Sequence, residues 1–509
     1  MIEAEVHYSL HSFLRSQGEA TWHHHLTMAR LVARALRLGR GALIQVGATS
    51  GYQGRYRLSY LAPALLWPKP VILVATTEVQ QRLKAVEIPR LQEWFQTNKA
   101  IRIGEQWPSE DFQGLLLTSP EAWLSAQLAG LEAFPPGIPT LIDGVDDLEN
   151  WAITQLTVSI QPSDWDELIL AFPHQVEAIR EARVKLTRAV FQHPVNPYEC
   201  YLIEPKDQDI LHNLYSMSDE DLSKLPSAWR NFGQRLQKLQ ASSQVFWATV
   251  NRRQGLFSLS TAPAQVASAL SPIWAKQPVV LIGSVLDQDA DSPTYRQRLG
   301  LSDLTCLKFS ADRHTELIQL YLPEQVPLPN TPEFQAAFIQ KVHSLLCLSI
   351  KAPGLTVLLV GDVPLKAQIG ATLAAEFGSR VQVEKTCLDD NGVLISGWEF
   401  WRQHQAVLPA PQLLVIATLP LPSLENPLVA GRVNYYKKSR QDWFRLYLLP
   451  EALSQLARAI APVRERQGVV ALLDSRVLYR SYGSQVLAAL SPLARLNYID
   501  ASLFTQAND

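Results

Sequence analysis

A glycine-containing loop between a short apolar strand and a helix is the first place where the residue types could do chemistry. The strand covers residues 42–46, and the loop over 49–56 reads TSGYQGRY. Backbone amides of such a loop can surround a phosphate, while a lysine contacts its outer oxygens and a Ser or Thr hydroxyl binds magnesium. No lysine is present, and Arg55 or Tyr56 takes its place, depending on whether one gap is allowed. The candidate phosphate contacts are Gly51, Gly54, Arg55 and Tyr56, and the alternative is a plain turn without a ligand.

A stretch of mixed basic and aromatic residues is the second candidate. Residues 431–445 read GRVNYYKKSRQDWFR, with five cations and one acid among four aromatic rings. In proteins that bind single-stranded nucleic acid, cations contact phosphates and rings stack on bases. The alternative is a solvated helix face whose aromatic side chains turn into the core. The candidate nucleic-acid contacts are Arg432, Tyr435, Lys437, Lys438, Arg440 and Arg445.

The cysteines and histidines do not form a metal-binding pattern. The four cysteines lie at least 40 positions apart, whereas zinc and iron–sulfur sites need clustered ligands. The three successive histidines at 23–25 would point to different faces of a helix. We therefore predict no metal site. Free thiols of this kind are typical of a reducing cytoplasm.

Composition narrows the classes of partner. The chain has 509 residues and a net charge of −2, which argues against a large uniform basic face. Charged residues make up 18%, below the usual share of about 25%. No apolar run is long enough to cross a membrane, and the first residues lack the pattern of a signal peptide. We expect a cytoplasmic protein without a membrane partner.

Alternating strand and helix signals must position these candidates. Apolar runs near 42–46, 71–75, 115–118 and 139–143 alternate with helical periodicity, which predicts a parallel α/β sheet. Residues 165–245 carry mainly helix signals, and a Pro-rich link follows at 322–329. The α/β pattern then returns, with predicted strands near 356–360, 381–384, 392–395, 413–417 and 468–473. The prediction is two α/β domains with a helical insertion in the first.

Six framework segments in fixed order resemble the DinG/XPD-type branch of the superfamily 2 helicases. The resemblance extends roughly over residues 12–495, and each segment alone is weak. The segments are LSYLAPAL at 58–65, IDGVDDLE at 142–149, GVLI at 392–395 with FW at 400–401, LPLPSLENP at 419–427, YLLPEALSQ at 447–455, and GVVALLDSR at 468–476 with YG at 482–483.

This resemblance implies two RecA-like domains of the P-loop NTPase helicase fold. The first RecA-like domain would cover 1–160 and 244–300, interrupted by an arch-like helical insertion over 161–243. A Pro-rich link would cover 301–330, and 331–509 would form the second RecA-like domain. Family members that carry an iron–sulfur cluster hold it with four cysteines between the phosphate loop and the DEAH box. Residues 57–142 contain no cysteine, so we expect no cluster.

The resemblance also implies roles around the DEAH box, where this chain departs from the pattern. Asp143 keeps the place of the carboxylate that binds magnesium. Gly144 replaces the Glu that activates water, so the general base is missing. Asp146 replaces the His that couples nucleotide to nucleic acid, and either Asp146 or Asp147 is the candidate substitute base. His25 stands where a Gln recognises adenine in the family.

The last helicase motif is changed in the same direction. Gln455 matches the motif's first residue. Asp143 and Gln455 join the four residues of the loop as candidate nucleotide contacts. Ala459 and Pro462 stand where the family has arginines that stabilise charge on the transferred phosphoryl group. Arg458 and Arg464 lie one and two positions away and are the candidate replacements.

Three functions stay open at this point. The first is a helicase-like protein that has lost ATP-driven unwinding and acts as a nucleic-acid-binding or scaffold module, with no cofactor. The second is a slow, divergent ATP-dependent DNA helicase, which would use ATP and magnesium. The third is a pure protein–protein scaffold. The partner would be single-stranded DNA or another nucleic acid, or a protein.

Overall fold

The part of the chain that the structure describes contains eighteen strands and twenty-two α-helices, besides short 3-10 and π-helical segments. The structure is a computed structural model that describes residues 1–17, 22–217, 224–238, 243–349, 353–389 and 391–504. The strands are β1 Ala42–Gln45, β2 Val71–Val74, β3 Ile101–Ile103, β4 Leu115–Thr118, β5 Thr140–Asp143, β6 Val158–Ile160, β7 Cys200–Leu202, β8 Gln244–Asn251, β9 Leu256–Pro263, β10 Val279–Gly283, β11 Thr305–Lys308, β12 Ile318–Tyr321, β13 Thr356–Leu359, β14 Val381–Val383, β15 Val393–Ser396, β16 Leu413–Ile416, β17 Val469–Leu472 and β18 Leu493–Leu496.

The helices cover the faces of the sheets and fill the insertion. They are α1 Ile2–Gln17, α2 His25–Leu38, α3 Ala48–Gln53, α4 Arg57–Leu66, α5 Thr77–Arg82, α6 Ile88–Phe95, α7 Pro120–Ala129, α8 Leu148–Leu156, α9 Asp164–Ala171, α10 Val176–Phe191, α11 Pro205–Met217, α12 Ser227–Lys238, α13 Ala267–Lys276, α14 Pro293–Leu299, α15 Phe334–Ser349, α16 Val363–Phe377, α17 Trp398–His404, α18 Pro427–Lys438, α19 Leu449–Ala459, α20 Ala461–Glu465, α21 Arg476–Tyr479 and α22 Gly483–Ala489. None of these helices has the length and hydropathy that a bilayer crossing requires.

Two seven-stranded sheets confirm the predicted pair of parallel α/β domains. The first sheet has the order β11-β1-β10-β5-β2-β4-β3, and the second has the order β14-β15-β13-β16-β17-β12-β18. Every pairing in both sheets is parallel. The central strands are buried on both faces, which is why they are continuous apolar runs in the sequence. We call the sheet that contains β1, with the helices packed on it, the first lobe. The sheet that contains β13, with its helices, is the second lobe.

The inserted segment differs from the predicted helical insertion because it also contains its own sheet. Strands β6 to β9 form an antiparallel sheet in the order β6-β9-β8-β7, and helices α9 to α12 pack on it. Strands β8 and β9, expected in the first RecA-like domain, belong to this sheet. The turn over 252–255 joins them directly, and so short a connection permits only antiparallel pairing. Trp165 and Trp229 are buried in the core of this insertion.

The segment expected to be a Pro-rich link also contains strands. β11 extends the edge of the first sheet beside β1, and β12 is inserted into the second sheet between β17 and β18. The change from one lobe to the other therefore takes place between Lys308 and Ile318.

Strand order brings three chain segments together at the carboxyl ends of the strands of the first sheet. β10 lies between β1 and β5, and parallel strands end at the same side. The loop after β1, Asp143 at the end of β5 and Gly283 at the end of β10 are therefore neighbours. This side faces the second lobe.

Candidate functional site

The predicted phosphate loop is folded as a short helix. After β1, Gly47 adopts a left-handed backbone with φ of 86°, helix α3 follows, and Gly54 ends it with φ of 64°. The Gly51 amide donates to the Gly47 carbonyl at 3.0 Å, and the Gly54 amide donates to the Gly51 carbonyl at 3.2 Å. The Arg57 amide in turn donates to the Gly54 carbonyl at 3.1 Å. These backbone donors are thus used within the segment itself.

Two tyrosines and an arginine surround the carboxylate at the predicted magnesium position. Asp143 is buried, and its Oδ1 accepts a hydrogen bond from the Tyr56 hydroxyl. Its Oδ2 accepts from the Tyr60 hydroxyl at 3.0 Å and from Nε of Arg57 at 3.3 Å. Tyr56 and Tyr60 lie four residues apart, so the start of α4 turns both rings to the same side. Burial, reinforced by the nearby charge of Asp143, raises the pKa of both tyrosines, which keeps them protonated as donors.

This arrangement does not fit a magnesium ion. Magnesium takes oxygen ligands at about 2.0–2.1 Å in an octahedron, but both oxygens of Asp143 already accept hydrogen bonds. The guanidinium of Arg57 forms an ion pair with the same carboxylate. An incoming ion would have to displace these donors. Among the described residues, no group of three or more His, Cys, Asp or Glu side chains is placed to hold a metal.

Asp146, one of the two candidate substitute bases, is engaged with the segment after β10. Its Oδ2 accepts from the Ser284 amide at 2.7 Å, and its Oδ1 accepts from the Ser284 hydroxyl at 2.7 Å and the Val285 amide at 2.9 Å. Gly144, which stands where the water-activating Glu belongs, has φ of 77° and allows the turn that places Asp146 there. Asp146 therefore ties the ends of β5 and β10 together.

Arg458 and Arg464, the candidate replacements for the arginines that stabilise charge on the phosphoryl group, make different contacts. Arg458 on α19 crosses to the first lobe, where its Nη1 lies 3.4 Å from Oδ1 of Asp147. Arg402 approaches the same carboxylate at 3.7 Å. Gln455 lies half-buried on α19, one turn before Arg458.

Arg464 is buried in the second lobe, away from the first lobe's Asp147. Its guanidinium donates to the carbonyl oxygens of Glu316, Leu490, Ser491 and Pro492 at 2.6–3.1 Å. Burial lowers its pKa to about 10, so it stays charged near neutral pH. Its donors hold the chain before β12 and the chain leading into β18.

Arg55, a predicted phosphate contact, and its neighbours Tyr52 and Gln53 contact the second lobe. The Tyr52 hydroxyl donates to the Gln405 carbonyl at 2.9 Å. Arg55 Nη2 lies 3.1 Å from Glu465 Oε1, and the Gln53 amide donates to the other oxygen of the same carboxylate. Helix α3 packs against α20 in this way and lies in the cleft between the lobes.

Gly51 is required at this contact by lack of space. A Cβ at position 51 would lie 2.4 Å from Cβ of Ser284. Beside it, the Thr49 hydroxyl donates to Glu316 at 2.7 Å, just before the second lobe begins. The glycine of the predicted phosphate loop thus permits close packing of α3.

An open pocket remains on the outer side of this loop. It has a volume of about 400 Å³, and His25, Tyr52, Arg55 and Arg57 are among its lining residues. Nδ1 of His25 is hydrogen-bonded to the Ser59 hydroxyl at 2.8 Å. Burial lowers the pKa of His25 to about 4, so its imidazole is neutral at pH 7.

The structure divides the predicted nucleic-acid contacts into two groups. Arg432 is buried, and its guanidinium lies 4.1 Å from the ring centre of Tyr447. Tyr435 is half-buried, and its hydroxyl donates to Gln265 at 3.2 Å. These two side chains belong to the contact between lobes. The remaining four, Lys437, Lys438, Arg440 and Arg445, are exposed at the end of α18 and just after it.

The exposed cations lie around an aromatic ring. Nζ of Lys437 is 5.3 Å from the ring centre of Trp443, and the side chain of Arg445 is 70% exposed, with its Nε 3.8 Å from Oδ2 of Asp442. We call Lys437, Lys438, Arg440, Trp443 and Arg445 the basic–aromatic surface.

A buried ionic network between the lobes was not predicted. Glu149 on α8 accepts from Arg298 on α14 and from Arg432 on α18, and Arg298 also contacts Glu451 on α19. Burial alone would raise the pKa of Glu149, but the two arginines outweigh burial and lower it. Residues 149 and 432 lie 283 positions apart, so no local pattern could have indicated the pair. Tyr60, by contrast, could have been found from its four-residue spacing to Tyr56.

Comparison with known proteins supports the helicase resemblance. Residues 409–493 match the model of the Helicase C-terminal domain. The ATP-dependent DNA helicase YoaA of Escherichia coli is 23% identical over 283 residues, which cover 51% of this chain and 43% of the relative. The 3'-5' exonuclease DinG of Bacillus subtilis is 24% identical over 306 residues, which cover 54% of this chain and 32% of the relative. The chain thus spans less than half the length of these curated relatives.

Solved structures share the fold at low sequence identity. A structure titled XPD_Helicase has a TM-score of 0.59 at 12% identity and covers 94% of this chain and 100% of its own. The Xpd4 structure from S. tokodaii has a TM-score of 0.58 at 13% identity and covers 93% of this chain and 100% of its own. The two lobes are therefore RecA-like. In sequence and in fold, the chain is thus similar to helicases of the DinG/XPD type of superfamily 2.

Proposed function

We propose that this chain uses a helicase fold for binding and does not carry out ATP-driven unwinding. The observation that carries the proposal is the enclosure of Asp143 by Tyr56, Tyr60 and Arg57. ATP hydrolysis in this fold needs a carboxylate on magnesium, and this carboxylate is occupied by protein donors. Gly144 also offers no side chain that could activate water.

Contacts across the cleft support the same proposal. Helix α3 joins the second lobe through Glu465 and the Gln405 carbonyl, and Arg458 joins the first lobe through Asp147. These side-chain contacts join the two lobes at the place where the resemblance puts the nucleotide.

Steady-state ATP hydrolysis tests the loss of catalysis. With magnesium and single-stranded DNA, we expect hydrolysis no faster than that of the Asp143→Ala variant. Thermal unfolding should not shift with ATP, ADP or a non-hydrolysable analogue, whereas a ligand at 100 times its Kd adds about 2.7 kcal/mol. DNA-stimulated hydrolysis that disappears in Asp143→Ala would favour the slow helicase and overturn the proposal.

We further propose that the basic–aromatic surface binds single-stranded nucleic acid. Its cations are exposed for phosphates, and Trp443 offers a ring beside them. The buried Arg432 has no part in this surface. A pure protein scaffold is the remaining alternative, and electrostatics distinguishes the two.

Salt dependence of oligo-dT binding tests this surface. Each lost phosphate contact should reduce the slope of log K against log salt by about 0.7, so Lys437→Glu/Lys438→Glu should reduce it by about 1.4 and weaken binding. The matched control is Lys84→Glu/Lys276→Glu, which changes the net charge equally at two other exposed lysines. Equal affinity of the first variant and the wild type would reject the surface. Absence of oligo-dT binding by the wild type would favour the protein scaffold.

A further inference from the structure

The two N-terminal helices enclose a groove that lies apart from the cleft between the lobes. Helices α1 and α2 pack against each other, and the groove between them has a volume of about 580 Å³. Ala4 and Tyr8 of α1 line one wall, and Arg30, Leu31 and Arg34 of α2 line the other. We call this space the α1–α2 groove. None of the predicted nucleotide or nucleic-acid contacts lies in it.

The α2 wall carries an excess of positive charge. Helix α2 reads HLTMARLVARALRL, with three arginines and no acid. Arg30, Arg34 and Arg37 are three and four positions apart, so they share one helix face, and all three are exposed. Among the described residues, neither Arg30 nor Arg34 has a carboxylate within ion-pair distance. For a chain with a net charge of −2, this is a local concentration of unpaired cations.

The third arginine indicates what these cations bind. Nε of Arg37 lies 2.7 Å from Oε1 of Glu3, which extends from α1 across the end of the groove. A carboxylate thus already binds this face at one position. Guanidinium groups pair well with carboxylates because their donors match the two oxygens.

The α1 wall is apolar and aromatic apart from Glu3, whose carboxylate is paired with Arg37. Tyr8 is 73% exposed, and Ala4 and the half-buried Leu31 lie at the same groove. A large exposed ring beside apolar carbon and unpaired arginines is a surface typical of partner contacts. The groove therefore offers an apolar contact next to a row of cations.

Ring geometry favours a peptide over a nucleic-acid strand. Successive bases stack on ring faces, but the rings of His7 and Tyr8 lie at 86° to each other. His7 is already stacked on His11 at 6.0 Å. His7 is half-buried, so Tyr8 is the exposed ring of this pair. Arg30 and Arg34 are separated by about 6 Å along the helix, close to the roughly 6.6 Å between alternate side chains of an extended peptide.

We propose that the α1–α2 groove binds an extended acidic peptide segment of a partner protein. Alternate carboxylates of the segment pair with Arg30 and Arg34, and an apolar side chain packs between Tyr8 and Leu31. This inference does not rest on the proposed function, because it uses other residues on another face.

Fluorescence anisotropy of the full chain tests the groove. The probe is a fluorescein-labelled peptide in which Asp alternates with Ala and one central Ala is replaced by Leu. The wild type should bind it, and Arg30→Glu/Arg34→Glu should weaken binding at least about tenfold, because like charges then oppose each other. Arg102→Glu/Arg313→Glu is the matched control at two exposed arginines elsewhere and should bind as the wild type does.

Further arms separate the remaining outcomes. A peptide with Lys in place of Asp should not bind, and Tyr8→Ala should weaken binding of the acidic peptide. Lys437→Glu/Lys438→Glu should leave peptide binding unchanged, which keeps this test distinct from that of the basic–aromatic surface. Equal binding by Arg30→Glu/Arg34→Glu and the wild type, or no binding by the wild type, would overturn the proposal. Oligo-dT binding that is lost in Arg30→Glu/Arg34→Glu, without peptide binding, would assign the groove to nucleic acid instead.

Discussion

The carboxylate of Asp143 stands at the end of a central strand, where the family places its magnesium ligand, yet its neighbours are protein donors. Tyr56, Tyr60 and Arg57 satisfy both of its oxygens in a buried setting. A buried charge is costly unless it is paired and hydrogen-bonded, so these three residues stabilise Asp143 without an ion. The carboxylate then contributes to folding.

Replacing a single tyrosine tests this role of Asp143. Tyr56→Phe should lower the free energy of unfolding by about 1.5–3 kcal/mol, because a hydrogen bond to a buried charged group is lost. Urea unfolding measures the change. Tyr436→Phe is the control, because the buried Tyr436 hydroxyl has no hydrogen-bond partner among the described residues and its removal should cost little. If Tyr56→Phe is as stable as the wild type, Asp143 does not depend on this donor.

Helix α3 shows how an element can depart from its sequence pattern. A glycine-containing loop after a strand predicts either a phosphate cradle or a plain turn, and neither describes a helix that packs against another lobe. The packing surface consists of Ser284 and α20, which are distant in the sequence. Local residue types could therefore not predict it.

A double substitution tests the packing of α3. Gly51→Ala should destabilise the protein by about 1–3 kcal/mol, because the new Cβ would lie 2.4 Å from Cβ of Ser284. Ser284→Gly removes that obstacle but also loses the hydroxyl that donates to Asp146. The double variant should then lose less free energy of unfolding than the two single variants lose in sum. Urea unfolding measures the three losses. Strict additivity would contradict the close packing.

The central strands were predicted, and so was the edge strand β14, whereas the edge strands β3, β11 and β18 and the inner strand β12 were not. The apolar runs near 42–46, 71–75, 413–417 and 468–473 are confirmed as central strands, because burial on both faces requires continuous apolar residues. β3 and β11 lie at sheet edges and expose part of their length, so their composition is mixed. No strand was predicted at β12, because the segment was interpreted together with the Pro-rich residues 322–329 that follow it.

At the scale of the whole molecule, a buried ionic network joins the two lobes. Glu149 and Arg298 come from the first lobe, and Arg432 and Glu451 come from the second. Arg432 had been a candidate for nucleic acid, but its guanidinium is used in this contact. Removing one partner from such a network leaves buried charge uncompensated, which costs far more than loss of an exposed pair.

Glu149→Gln should therefore destabilise the protein by about 3–5 kcal/mol. The control is Glu177→Gln, which breaks an exposed pair with Arg180 and should cost less than about 1 kcal/mol. Because the pKa of Glu149 lies below its ordinary value of 4.5, its contribution is complete above that pH and is lost as the pH falls through the lowered pKa. Urea unfolding at a series of acidic pH values should show a smaller loss of stability for Glu149→Gln than for the wild type. Equal acid slopes would show that Glu149 does not carry this dependence.

The sequence by itself determined the fold class, the family resemblance and the missing catalytic residue types, because apolar periodicity and side-chain chemistry are local properties. Only the tertiary structure decided how the remaining residues are used. Tyr56 and Asp143 lie 87 positions apart, and Arg432 and Glu149 lie 283 apart, yet both pairs are in contact. Hydrogen bonds and ion pairs depend on distance in space and on burial, which sequence separation does not encode. Asp143 and Arg432 are therefore parts of internal networks, whereas Lys437 and Lys438 are exposed.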